Sequence, residues 1–171
     1  MAIKNRPEFE KFIRRVEKSS DVFRVSSTEK RHSKHFRTAR ENLKHLVDDE
    51  SFLEFGQFAV AAQRSRRDYE ELQDKTNADG IITGFCSINS ALIGEEDAKA
   101  VAIIYDYSVL AGTQGFFHHA KLDRICEQAK KFNLPVVIFT EGGGGRPGAV
   151  SYTHLRAHET SLHLVCRLLL E

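Results

Sequence analysis

Apolar residues recur at helical spacing in three stretches of this chain and form unbroken Ile/Val-rich runs in three others. After Pro7, the positions Phe9, Phe12, Ile13 and Val16 predict a short amphipathic helix, with Asn5 opening its first turn. In TARENLKHLVDDESFLEFG, Leu43, Leu46 and Val47 share one face, and Thr38 stands three residues before Glu41 in capping-box order. Asp48 and Asp49 break that pattern, and SFLEF resumes as a strand ending at Gly56. Phe117, Leu122, Ile125, Cys126, Ala129 and Phe132 mark a helix of about four turns. The runs GIITGFCSIN, KAVAIIYDYSVL and PVVIFT read as strands; the turn-prone IGEED separates the first two, which predicts a pair, and Cys86 reads as core. Two stretches lack periodicity: SSTEKRHSKHFR reads as a loop or arm, and residues 57–79 as an exposed excursion.

The order strand, glycine turn, helix, strand is a βαβ unit, so its crossover should be right-handed and its strands parallel. Ligands of open α/β folds gather at the carboxyl ends of strands. Both strands of the unit end in glycine loops there: Gly112-Thr113-Gln114-Gly115, and EGGGGRPG from Glu141 to Gly148. Glycine lets backbone N–H groups approach an anion closely, and Arg146 adds a permanent charge suited to phosphate or carboxylate. Neither loop has the form GxxxxGK[ST] or GxGxxG, so no specific nucleotide site is implied. From composition alone a plain turn or linker is an equal reading, although a linker rarely follows an apolar strand directly. Adjacent residues on a helix point about 100° apart, so His118 and His119 read as surface or supporting histidines rather than a shared metal site. Arg64, Arg66 and Arg67 read as a solvated face, with a phosphate-holding cluster as the alternative.

Charge is distributed unevenly. Residues 1–40 hold twelve Lys/Arg and five Asp/Glu, a balance of +7; residues 41–149 hold eleven and seventeen, a balance of −6. A basic segment of this kind suits nucleic acid, an acidic partner or the phosphates of a ligand. Three widely spaced cysteines, Cys86, Cys126 and Cys166, argue against a disulfide framework or a zinc ribbon and for buried reduced thiols. With no apolar run near the roughly 20 residues of a membrane span and no signal-like start, a cytoplasmic location is expected.

From Val150 the texture changes. His154, His158 and His163 with Glu159 have the spacing of a zinc site, but VSYTHLRAHET resembles a translated adapter of transposase-based sequencing libraries. LVCRLLLE resembles the adjoining flow-cell primer in the same frame. Residues 150–171 are therefore expected to be non-native, with Ala149 at the junction, and the natural protein to continue past Gly148. No metal site is expected.

TARENLKHLVDDESFLEFG, ADGIITGF and VLAGTQGFFHHAKLDRICEQAKKFNLPVVIFTEGGGGRPG, in this order, resemble the amino-terminal half of the carboxyltransferase domain of biotin-dependent acyl-CoA carboxylases, a branch of the crotonase superfamily. The resemblance implies an α/β, ClpP/crotonase-like ββα spiral, truncated to its acyl-CoA-binding half (residues 38–149) behind a basic helical arm and connector (residues 1–37). The half that binds carboxybiotin on its carrier would be absent, and the active site would lie between halves of different subunits. By the same resemblance, Gly143, Gly144 and Gly145 are backbone oxyanion donors, while Gly112, Thr113, Gln114, Gly115 and Arg146 bind substrate. Implied partners are acyl-CoA (acetyl-, propionyl- or related), biotin carboxylase and biotin carboxyl carrier components, and further copies of the chain. No four-cysteine zinc ribbon is present, and Ala149 stands where the family usually has an acidic residue. An acyl-CoA decarboxylase subunit fits the same loops, and a nucleic-acid-binding module through residues 1–40 is the alternative from another class.

Overall fold

A computed structural model describes residues 6–146. Helix α1 spans Pro7–Glu17, α2 Val25–His32 and α3 Ala39–Leu46; strand β1 is Leu53–Phe55 and helix α4 Tyr69–Lys75. Strand β2 (Ile81–Ser87), the single turn α5 (Ser90–Ile93), β3 (Lys99–Tyr105), α6 (Phe116–Phe132) and β4 (Val136–Phe139) follow within the described residues. The sheet order is β1-β2-β3-β4. The first three strands pair antiparallel, and β4 lies parallel to β3, with Val101 opposite Val136 and Ile104 opposite Phe139. The expected βαβ unit is therefore present.

Side chains alternate across a sheet, so a strand buried on both faces is apolar at nearly every position; the buried Thr83 of β2 donates its hydroxyl to the Phe55 carbonyl at 3.1 Å. That is why β2 and β3 read as unbroken runs. Ile82, Cys86, Ala100, Ala102 and Ile104 face Ala39 and Leu43 of α3, whereas Ile81, Val101, Ile103 and Tyr105 face Ile125 and Ala129 of α6. The Thr38–Glu41 capping box closes the start of α3 in both directions. Helix α6 ends at Asn133, whose left-handed φ of 53° stops it ahead of Pro135.

Several sequence expectations change. The stretch read as a loop or arm contains α2, a helix with no buried residue, whose polar character hid it from a periodicity argument. The first helix begins after Arg6, and Asn5 lies outside the described residues. Residues 57–79 are not an exposed excursion: Val60, Ala61 and Leu72 form a small core of their own that packs on Leu110. Of the thiols, Cys86 is buried and burial pushes it up to about 11, while Cys126 is exposed rather than buried. His118 is fully buried rather than at the surface. Cys166, the histidine-rich tail, Gly148 and Ala149 lie outside the described residues. Among the described residues no helix is long and apolar enough to cross a membrane, and no three His, Cys, Asp or Glu side chains gather as a metal would require.

Candidate functional site at the paired glycine loops

Because β3 and β4 run parallel, their carboxyl ends leave the sheet at the same edge, and the loops that follow meet there. The Gln114 N–H donates to the Gly144 carbonyl at 2.9 Å, and the Arg146 N–H donates to the Gln114 carbonyl at 2.8 Å. These bonds extend the parallel pairing beyond the strands as a bridge between Gln114 and Gly145. At the closest point the two backbones touch. A Cβ on Gly112 would sit well under 3.0 Å from the Glu141 carbonyl oxygen, and one on Gly142 equally close to the Gly112 carbonyl oxygen.

The first loop is wound tightly: Leu110, Ala111 and Gly112 all have left-handed φ, at 49°, 55° and 64°. Such a run is unfavourable for Leu and Ala and persists only when its surroundings hold it. The Thr113 hydroxyl donates to the Leu110 carbonyl at 2.7 Å, and the small core around Val60 and Leu72 packs against the Leu110 side chain. In the second loop the Gly143 N–H donates to the Ala111 carbonyl at 3.3 Å, so it is already engaged. The Gly144 and Gly145 N–H groups have no acceptor among the described residues, and a Cβ at either position would meet nothing within 4 Å. Of the three expected oxyanion donors, these two are open to a ligand.

Arg146, expected to bind substrate, is held from within the protein. Its Nη1 lies 2.6 Å from the Oδ1 of Asp79, its Nη2 donates to the Thr113 carbonyl at 2.8 Å, and it is 9% exposed. The guanidinium is thus engaged within the protein and braces one loop against the other; it does not stand free for a substrate anion.

Asp79 is the hub beneath both loops. It is fully buried, and its second oxygen accepts the His118 N–H at 2.9 Å in the first turn of α6, where helix amides favour a negative charge. Ala78, Asp79 and Gly80 repeat the left-handed pattern, with φ of 52°, 50° and 76°. Lys121 holds this turn in place, its Nζ donating to the carbonyls of Ala78, at 2.9 Å, and Ile81. Burial pushes the Lys121 ammonium down to about 7.

The His118 Nδ1 lies 3.2 Å from the Asp79 carbonyl, which can only accept, so Nδ1 carries the proton of a neutral ring. Burial, foremost, pushes this imidazole down to about 3 from an ordinary 6.5. The unfolded chain therefore binds more protons than the folded one between those values, and stability is lost as pH falls from about 6.5 towards 3. Exchanging His118 for Gln should flatten that limb in urea denaturation at stepped pH; an unchanged slope would mean the ring is not its source.

Nothing in the glycine-loop motifs points to Asp79, His118 or Lys121, which lie outside them in the sequence. A signal for two of them existed: His118 and Lys121 fall in register with Ile125 and Ala129, so two polar residues stand on the inward stripe of α6.

A family model described as "Carboxyl transferase domain" matches residues 30–155. The chain belongs to this family. It is 36% identical over 119 residues to the acetyl-coenzyme A carboxylase carboxyl transferase subunit beta of Clostridium kluyveri, covering 66% of this chain and 38% of that protein. It is 30% identical over 118 residues to the methylmalonyl-CoA decarboxylase subunit alpha of Veillonella parvula, covering 69% of this chain and 21% of that protein. A solved single-chain, multi-domain long-chain acyl-CoA carboxylase superposes with a TM-score of 0.82 at 48% identity, over 85% of this chain and 14% of that one. The crotonase-like α/β fold of these carboxyltransferases is the fold of this chain. The carboxyl transferase chain described here spans between about a fifth and two fifths of the curated relatives' length.

Proposed function

We propose that this chain supplies the acyl-CoA-binding part of a carboxyltransferase that moves a carboxyl group from carboxybiotin to an acyl-CoA. The observation that carries the reading is the pair of open amides, Gly144 and Gly145, at the carboxyl edge of a parallel strand pair, in a member of the carboxyl transferase family. Removing the α-proton of an acyl thioester puts negative charge on its carbonyl oxygen. Backbone donors already aimed at that point stabilise the charge without reorganising, and one such donor is worth on the order of 100-fold or more in rate. Carboxybiotin, brought on its carrier, would supply the carboxyl group: its N–CO2 bond would break, a C–C bond would form at the α-carbon, and the freed ureido nitrogen would take the α-proton. A short, anion-accepting loop with no side chains in the way fits both a thioester oxygen and a ureido oxygen. Gly112, Thr113, Gln114 and Gly115 line the same pocket in this reading. Gly143 and Arg146 hold the loop pair together.

Biotin carboxylase and carrier components, and further copies of the chain, are the partners this chemistry requires. A decarboxylase subunit is the second reading; it is favoured by the similarity to the Veillonella parvula protein and runs related chemistry in reverse. A nucleic-acid module gains no support, because Arg15, Arg24 and Arg31 of the basic segment bind within the chain.

The test begins with recovery of the gene from its source and reading past the Gly148 codon. A frame that continues into further glycine-looped sequence supports the truncation, while VSYTHLRAHET encoded there would contradict it. In the uninterrupted product, carboxyl transfer from carboxybiotin to a short acyl-CoA is expected, with about a 100-fold loss in Gly144→Val. Full activity in that variant would rule out the donor role. Gly144 has φ of 85°, so valine there is strained as well as obstructive.

A further inference from the structure

The segment before α3 is the part of the molecule for which the site chemistry gives no reason. Its arginines nonetheless reach the domain at three separated points. Arg15 donates to the Phe58 carbonyl at 2.6 Å and to the Tyr69 hydroxyl at 3.1 Å. Arg24 pairs with Asp106 at 2.6 Å and donates to the Ser108 hydroxyl, both at the start of the loop that leaves β3. Arg31 grips Glu141 with both terminal nitrogens, at 2.6 and 2.7 Å, at the start of the loop that leaves β4.

Arg31 also lies over the ring of Tyr107, 5.6 Å from its centroid, so it contacts both loops at once. Its own geometry is fixed from behind. The Phe36 ring lies on one side at 5.2 Å, and the Arg37 carbonyl accepts from Nε at 3.0 Å and from Nη2 at 2.8 Å. The Arg31 side chain is only 12% exposed. Two-pronged Arg–carboxylate pairs restrict angle as well as distance, unlike the mobile single contacts of most surface pairs. The Glu141 carbonyl is the atom that abuts Gly112, so a hold on Glu141 acts where the two loops touch.

We propose that Arg31 is a positioning residue for the paired glycine loops, with α2 fastened over their outer side through Glu141 and Tyr107. It touches no reacting atom. Its effect runs through the placement of Gly144 and Gly145, so the functional half of the proposal rests on the carboxyltransferase reading, and the structural half does not.

The experiment uses the uninterrupted gene product with Arg31→Ala, Arg31→Lys, Glu141→Gln and the double variant Arg31→Ala/Glu141→Gln. Small displacements far from the chemistry cost up to about 100-fold in rate, so kcat should fall about 10- to 100-fold in Arg31→Ala. The KM for acyl-CoA should move by less than about threefold, because the interaction lost is one that shapes the transition state. Arg31→Lys should recover part of the rate, and the double variant should be no slower than the worse single one. Amide hydrogen exchange should quicken in peptides covering 141–146 and stay unchanged in β2 and β3. Additive losses, or unchanged loop exchange, would overturn the proposal. If the unsubstituted protein transfers no carboxyl group, the functional reading fails on its own, and the exchange comparison still decides whether Arg31 holds the loop. Should Arg31→Ala not fold, Glu141→Gln, which keeps the side chain's shape, carries the same comparison.

Discussion

Gly112→Ala is expected to abolish most of the proposed carboxyl-transfer activity and to destabilise the protein by about 2–4 kcal/mol, because one methyl group has to occupy the space of another backbone. The new Cβ falls on the Glu141 carbonyl oxygen and near the Gly142 Cα, and neither is the flexible end of a side chain that can swing away. The residue also has φ of 64°, which alanine adopts only with strain. The loops must separate, and the bridge from Gln114 to Gly144 and Arg146 stretches with them. A separation of even about 1 Å at the proposed oxyanion donors, Gly144 and Gly145, is enough to cost about 100-fold in rate. Gly145→Ala is the control. It has open space within 4 Å and no left-handed φ, so its stability should stay within about 0.5 kcal/mol of the parent. Urea denaturation of the pair decides the matter: equal stabilities would show that the loop contact is softer than its geometry.

Asp79→Ala should be the most damaging single change to the fold. Breaking a buried ion pair by deleting one partner costs about 3–5 kcal/mol, since the remaining charge has neither water nor a counter-charge. Arg146 would be left in that state, and the His118 N–H would lose its acceptor at the head of α6. Against a total stability of about 5–15 kcal/mol for a domain of ordinary size, the variant sits at or beyond the edge of folding. Replacing both members, as Asp79→Leu with Arg146→Met, should recover part of the melting temperature, since an apolar pair of similar volume leaves no charge stranded. The doubly substituted protein should still lack most activity, because the backbone bonds between the loops would remain without the guanidinium that braces them at Thr113. A double variant no more stable than Asp79→Ala would place the loss in the turn at Ala78–Gly80 rather than in the ion pair.

The parts of this molecule that could be read from sequence are those whose reasons are local. The capping box at Thr38, the doubly apolar strands β2 and β3, and the placing of two glycine loops on one sheet edge each follow from a few adjacent residues and a handedness rule. What escaped depends on partners far apart in the chain. Arg146 and Asp79 are separated by 67 positions, and Arg31 and Glu141 by 110, so no window of sequence contains both members of either pair. A guanidinium beside a glycine loop looks like an anion site until the carboxylate that neutralises it is located. In the same way, α2 has a single apolar residue, Val25, and is held by ionic contacts, so a search for apolar periodicity passes over it. Residues 57–79 looked exposed because their core is three side chains, too few to leave a pattern.

The contact between Gly112 and Gly142 leads to a statistical consequence. Two side chains that touch in a core can trade volume, one growing as the other shrinks, and a set of related sequences then records their proximity as correlated change. Here each residue is already the smallest there is, and each meets backbone rather than side chain. No substitution at one position can be offset at the other. The two positions would appear as fixed columns with nothing to correlate, so a contact on which the site depends would leave no co-variation signal at all.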